Sequence, residues 1–275
     1  PLQPIDYRMP ISSAQVKSAI LFAGLFATGT TRVSERTLTR DHTERMLGLT
    51  TTRSTDGLVV EIEGGREIEA RRFQVPGDIS SAAFIISAAL VVPNSQIRIL
   101  GVGLNPTRTR ILDFYRSLGA SISILDETSI SGELIGDLLV TSTELHGDVW
   151  LDANAVAELI DEIPIIAATL ALSGAGLTVQ GAEDLRAKES DRIESIVANL
   201  RYLGVDVDEY PDGFAFQGKK PLISAKCDSF GDHRIAMAFG IAGLALSGET
   251  VIENADCVEI SFPSFWSLLD KLQVE

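Results

Sequence analysis

One pattern recurs four times along this chain and limits what it can fold into: an almost uncharged helix headed by Ser or Asp, a turn of small residues, then a β-branched strand. The copies run 12–33, 78–99, 161–179 and 232–252. These helices are apolar on nearly every face, so each has to be enclosed by other elements. A second helix, amphipathic and charged, follows each one, at 41–47, 107–118, 190–203 and 264–272. Three of these lead into alternating strand pairs, such as 205–207 and 214–217 across Pro211-Asp212-Gly213. The chain therefore reads as α/β, in units of strand, buried helix, strand, strand, amphipathic helix and strand, each roughly 65 to 80 residues long. The expected division is 1–74, a single unit without sisters, and 75–275, three units whose buried helices share a core. The last unit stops at its amphipathic helix with no closing strand, so the pattern implies a parent chain longer at both ends.

Charge narrows the partners. Lys and Arg number 23 against 38 Asp and Glu, a formal net charge of −15, which disfavours a nucleic-acid or anionic-membrane surface spread over the molecule. An anionic ligand has to meet a local cluster of cations. Cys227 and Cys257 lie outside any CxxC spacing, which points to a reducing, cytoplasmic setting without disulfides or structural zinc. The apolar runs 82–92 and 235–248 are too short to span a bilayer, and 163–182 is broken by Pro164, Ser173, Gly174 and Gly176. No basic then apolar leader precedes Pro10. His42, His146 and His233 show no metal-ligand spacing, and neither GxGxxG nor GxxxxGK[ST] occurs.

The buried helices open on Pro10-Ile11-Ser12-Ser13-Ala14-Gln15, Gly77-Asp78-Ile79-Ser80-Ser81, Asp161-Glu162-Ile163-Pro164 and Gly231-Asp232-His233-Arg234. Helix N-termini favour anions through their dipole and free N–H groups, although each motif also reads as an ordinary cap. Between them lies Leu185-Arg186-Ala187-Lys188-Glu189-Ser190-Asp191-Arg192. On a helix begun by Lys188, Lys188 and Arg192 share a face, and an anionic ligand between them relieves their repulsion. The alternative is a solvated face with Glu189 and Arg192 paired at i,i+3. Arg234 opens a helix uncharged through Gly248 and suits carboxylate or phosphate recognition; alternatively it pairs with Asp232 or another carboxylate. Asp41 with Glu44 reads as a helix-capping arrangement that makes His42 structural.

These stretches, with residues 39–47, resemble in order the motifs of the 5-enolpyruvylshikimate-3-phosphate synthase family, from Met9 to Ser261-Phe262-Pro263. The resemblance implies an inside-out α/β barrel of βαββαβ units in two domains. It implies transfer of the enolpyruvyl group of phosphoenolpyruvate to the 5-hydroxyl of shikimate 3-phosphate, with no metal or organic cofactor. By the family pattern Ser13, Ala14 and Gln15 hold shikimate 3-phosphate, and Gln15 also nears phosphoenolpyruvate. Asp161 accepts the 5-hydroxyl proton, Lys188 contacts the substrate, Glu189 donates a proton to the methylene carbon, and Arg192 and Arg234 clamp phosphoenolpyruvate. The family's early Lys-Ser and Gly/Asn-rich segments and an Arg do not occur here, and Ile260 stands where some members carry Lys. The chain is thus expected to need its own N-terminal portion as a partner. Rival readings are the UDP-N-acetylglucosamine enolpyruvyl transferase, which shares the fold, and a non-catalytic substrate-binding fragment.

Overall fold

A computed structural model describes residues 2–55, 57–68, 70, 72–218 and 221–273. They form two compact units: 1–76 with 103–109 and 126–136, and 77–102 with 110–125 and 137–275.

In the first unit β1 (Asp6–Arg8) leads to α1 (Ala14–Gly24), then β2 (Thr30–Glu35), α2 (His42–Leu47), β3 (Thr51–Ser54) and β4 (Gly57–Glu63). The sheet order is β1-β2-β4-β3, with β1 parallel to β2 and the other pairs antiparallel. Ser13 starts α1 because its extended backbone lets Oγ accept from the N–H of Val16. Met9, Leu21, Val33, Leu47, Val60 and Ile62 form the core. α1 differs from expectation: only Lys17, Leu21 and Gly24 are buried, while Val16 and Phe22 are exposed. Within this unit α1 packs mainly on β2 and β4 and touches α2 through Lys17 and Ser18, and among the described residues of the unit it meets no second buried helix. Lys17 is fully buried and lies 2.8 Å from Glu35 Oε1 and 2.7 Å from Glu44 Oε1.

α2 is anchored differently from the capping arrangement expected of Asp41, whose side chain caps no helical N–H. Its Oδ1 instead accepts from Arg45 Nε at 2.8 Å and Asn105 Nδ2 at 2.7 Å. Burial opposes the charged form of Asp41, but those two hydrogen bonds and the nearby cations outweigh it and hold its carboxyl below the ordinary 3.8. His42 Nδ1 meets Glu133 Oε1 at 2.7 Å, so its contacts belong to this local network.

The second unit continues with α3 (Ile79–Val91), β5 (Gln96–Gly103), α4 (Arg110–Ser117), β6 (Ser121–Ile130) and β7 (Glu133–Thr141). The sheet β5-β7-β6 gives its segments 103–109 and 126–136 to the first unit. Next come β8 (Val149–Leu151), α5 (Ala153–Leu159), α6 (Ile163–Ser173) and β9 (Leu177–Val179). A 3-10 turn (Glu183–Ala187), α7 (Arg192–Tyr202), β10 (Val207–Tyr210) and β11 (Gly213–Phe216) follow. The chain then forms β12 (Lys226–Asp228), α8 (His233–Ala245), β13 (Val251–Glu253), a second 3-10 turn (Ala255–Ile260) and α9 (Phe265–Leu272).

The repeat is visible in the sheets. In β10-β11-β9-β8, β8 runs parallel to β9 and β9 antiparallel to β11, the same topology as β1-β2-β4-β3. These two repeats thus run strand, buried helix, strand, amphipathic helix, strand, strand. This corrects the sequence-based order, because turns rather than a second strand fill 36–41 and 180–190. Gly213 is required where β11 passes β9, since a Cβ there would lie 1.9 Å from the carbonyl oxygen of Val179. β13 pairs with β12 alone among the described residues, and its Val251 is 43% exposed where Val179 of β9 is 0%.

The buried helices α3, α6 and α8 pack on one another, as the repeat leads one to expect. Ile163, Ile165, Ile166, Ala167 and Leu170 of α6 are at most 0% exposed, so its apolar sides are all enclosed. No described helix is long and apolar enough to cross a membrane. Truncating Ile166 to Ala is expected to cost about 2–5 kcal/mol, through lost burial plus a cavity that three packed helices cannot collapse. Urea denaturation of the variant against the parent chain measures this.

Candidate active site

The second unit gathers four of the residues singled out by sequence. α6, α7 and α8 each begin beside the others' first residues, and the caps decide which side chains project there. Asp191 has an extended backbone and accepts from Glu194 N–H at 3.0 Å, so α7 starts at Arg192 rather than by Lys188. Lys188 lies in extended conformation after the 3-10 turn, so the shared helical face expected for Lys188 and Arg192 does not form. Asp232 caps α8 by accepting from Arg234 N–H at 2.8 Å. Pro164 sits in the first turn of α6, where its missing N–H leaves no hydrogen bond unmade.

Arg192 is the centre of the cluster, with a side chain 1% exposed. Its Nε donates to Asp232 Oδ2 at 2.7 Å and its Nη2 to Glu189 Oε2 at 2.6 Å. Its Nη1 is buried and has no hydrogen-bond partner among the described residues, lying 3.6 Å from Asp161 Oδ1. On the other side of Asp161, Arg234 Nη2 stands 3.6 Å from Oδ2, while Nη1 donates to the Asp161 backbone carbonyl at 3.0 Å. One carboxylate thus lies between two guanidinium groups, 3.6 Å from each. A buried donor left unmade costs free energy comparable to a lost hydrogen bond, which an anionic oxygen entering here would recover.

Both open alternatives for the arginines have a counterpart. The i,i+3 pair of Glu189 with Arg192 forms, and Arg234 faces Asp161 rather than Asp232. Lys188 is exposed, and its ammonium meets no partner among the described residues. Ser13, Ala14 and Gln15 belong to the first unit; Ser13 Oγ caps α1 and donates to Gln15 Oε1 at 3.3 Å, and Gln15 is exposed.

Two contributors escaped the sequence reading. Asp232 reads from sequence as a helix cap or a partner for Arg234, yet at 0% exposure it neutralises Arg192. Its position just before the helix was the visible signal, but the pairing joins residues forty apart in sequence. Glu162 accepts a hydrogen bond from Ser80 Oγ, which ties the start of α6 to that of α3.

A protein-family model, EPSP synthase (3-phosphoshikimate 1-carboxyvinyltransferase), matches residues 1–269. The chain belongs to the EPSP synthase family. It is 47% identical over 275 residues to a 3-phosphoshikimate 1-carboxyvinyltransferase of Desulforamulus reducens, covering all of this chain and 64% of that one. A protein of the same name from Geobacter sulfurreducens is also 47% identical, with the same coverage. A solved EPSP synthase from Acinetobacter baumannii superposes with a TM-score of 0.89 at 36% identity, over 98% of this chain and 63% of that chain. The chain therefore spans just under two thirds of the length of these EPSP synthase relatives.

Two outcomes follow from the cluster's geometry. Replacing Asp232 by Ala strands the buried Arg192 and is expected to destabilise by about 3–5 kcal/mol, read as a lower urea midpoint. His233 is buried beside Asp232, and desolvation holds its pKa below the ordinary 6.5 despite that carboxylate. Below pH 6.5 the unfolded chain therefore binds more protons at His233 than the folded one. The stability this group contributes is complete above pH 6.5 and is lost as pH falls through its lower folded value. His233→Gln is expected to flatten the stability profile between pH 7 and 5, measured by denaturation at each pH.

Proposed function

We propose that residues 1–275 are the larger part of a 3-phosphoshikimate 1-carboxyvinyltransferase. It moves the enolpyruvyl group of phosphoenolpyruvate to the 5-hydroxyl of shikimate 3-phosphate and releases phosphate. The observation that carries this reading is the pair Arg192 and Arg234 flanking Asp161, with Arg192 Nη1 buried and unpartnered. Phosphoenolpyruvate brings a carboxylate and a phosphate on one small carbon frame, and planar guanidinium groups bind both bidentately.

In this mechanism Ser13, Ala14 and Gln15 hold shikimate 3-phosphate, Gln15 also approaches phosphoenolpyruvate, and Lys188 contacts the substrate. Asp161 takes the proton of the 5-hydroxyl as its oxygen attacks C2 of phosphoenolpyruvate, and Glu189 protonates C3. The tetrahedral adduct retains both its carboxylate and its phosphate, so Arg192 and Arg234 stabilise it throughout. Loss of a proton from the new methyl group with departure of phosphate regenerates the enol ether.

The family's inside-out α/β barrel is the architecture in which we place these units, with 1–74 as part of one domain and 75–275 as the other. The rest of the parent chain is the proposed partner. The exposed apolar residues of α1 and the unpaired edge of β13 both support it, as does the length of the relatives. The free thiols Cys227 and Cys257 accord with a cytoplasmic enzyme.

Residues 1–275, combined with the remaining N-terminal portion of the parent chain and both substrates, are expected to release phosphate. Arg192→Met is expected to lower kcat/KM by at least about a hundredfold, as loss of charge stabilisation at the adduct does. A soluble, folded pair that releases no phosphate overturns the proposal. Release with UDP-N-acetylglucosamine in place of shikimate 3-phosphate assigns the sister reaction instead.

A further inference from the structure

Lys188 and Glu189 carry two of the roles proposed above, yet their own side chains do little to hold them. Lys188 has no partner among the described residues, and Glu189 reaches only Arg192. Between the 3-10 turn and α7, Ser190 Oγ donates to Asp232 Oδ2 at 3.4 Å and accepts from Ser195 Oγ at 3.1 Å, and one further side chain engages both flanks of the segment. Arg186 Nε donates to the carbonyl of Pro211 at 2.7 Å, and Nη2 donates to the carbonyl of Tyr210 at 2.6 Å and Glu209 Oε1 at 3.1 Å. Its Nη1 donates to Asp191 Oδ2 at 2.8 Å.

These acceptors belong to two structures. Glu209, Tyr210 and Pro211 form the end of the β10–β11 hairpin, which also holds the start of the segment through Asp212, whose Oδ2 and carbonyl accept from Gly181 N–H and Ala182 N–H. Asp191 is the N-cap of α7, and its Oδ1 accepts from Glu194 N–H.

We infer that Arg186 is a positioning residue: its guanidinium clamps the 187–191 loop between the hairpin end and the N-cap of α7, and so sets where Lys188 and Glu189 stand. The inference rests on the function proposed above. Four acceptors spread around one planar group match a guanidinium and not an ammonium, which is a compact point charge. Arg192 is held separately by Asp232 of the α8 cap, so loosening the loop leaves the phosphoenolpyruvate anchor in place. The loss is therefore expected in the chemical step rather than in binding.

The test uses Arg186→Gln and Arg186→Lys. In the complemented enzyme both variants are expected to lower kcat at least about tenfold, the scale of a displaced catalytic group, with KM for phosphoenolpyruvate within about threefold of the parent. Amide hydrogen exchange on residues 1–275 alone is expected to speed up about tenfold or more at 187–191 while α6 and α8 keep their protection. Unchanged exchange in the loop, acceleration spread equally over α6 and α8, a defect confined to KM, or full recovery with Lys each overturns the inference. If the parent enzyme shows no phosphate release, the proposed function fails on that control, and the exchange measurement still decides whether Arg186 fixes the loop.

Discussion

The buried pair of Arg192 and Asp232 is the contact on which the second unit's arrangement depends. Both side chains are almost completely removed from water, a state that is tolerable only because each neutralises the other. The same carboxylate caps α8 through Arg234 N–H, so one group holds the start of α8 and the guanidinium of the first residue of α7. The arginine in turn leaves Nη1 unmatched and aimed toward Asp161. A donor set that is mostly but not completely satisfied is stable enough to persist and still has capacity for an anion.

The packing of α3, α6 and α8 makes that geometry possible. Helices without a polar face have no solvent-exposed solution, so each shields the others. Their caps are consequently brought near one another: Glu162 of α6 accepts from Ser80 of α3, and Arg234 of α8 donates to the carbonyl of Asp161. α1 has the same composition but no sister in its own unit, and its outer residues stay exposed. Lys17, buried on that helix with Leu21 and Gly24, is neutralised by its ion pairs with Glu35 and Glu44.

Much of this was legible in the residues. Ser13, Asp78 and Asp232 announce helix starts because a short oxygen-bearing side chain accepts from a free N–H, and all three do so. The pairing of Glu189 with Arg192 also forms, although Glu189 lies ahead of α7 rather than on its face. Other readings failed where local pattern competed with a distant partner. Asp41 forgoes its cap because Arg45 and Asn105 draw its carboxylate away. Lys188 leaves the face of Arg192 because the 3-10 turn ends at Ala187 and Asp191 caps α7, which starts only at Arg192.

The sequence by itself determined the α/β class, the repeated buried helices, their starting residues and the candidate cations, because periodicity and capping act over a few neighbouring residues. Only the tertiary structure decided that Asp232 pairs with Arg192, that Asp161 separates Arg192 from Arg234, and that Arg186 bridges a hairpin end to a helix cap. Each of those contacts joins residues whose separation in sequence carries no signal. They meet because burying three apolar helices together leaves one way to neutralise the charges at their ends.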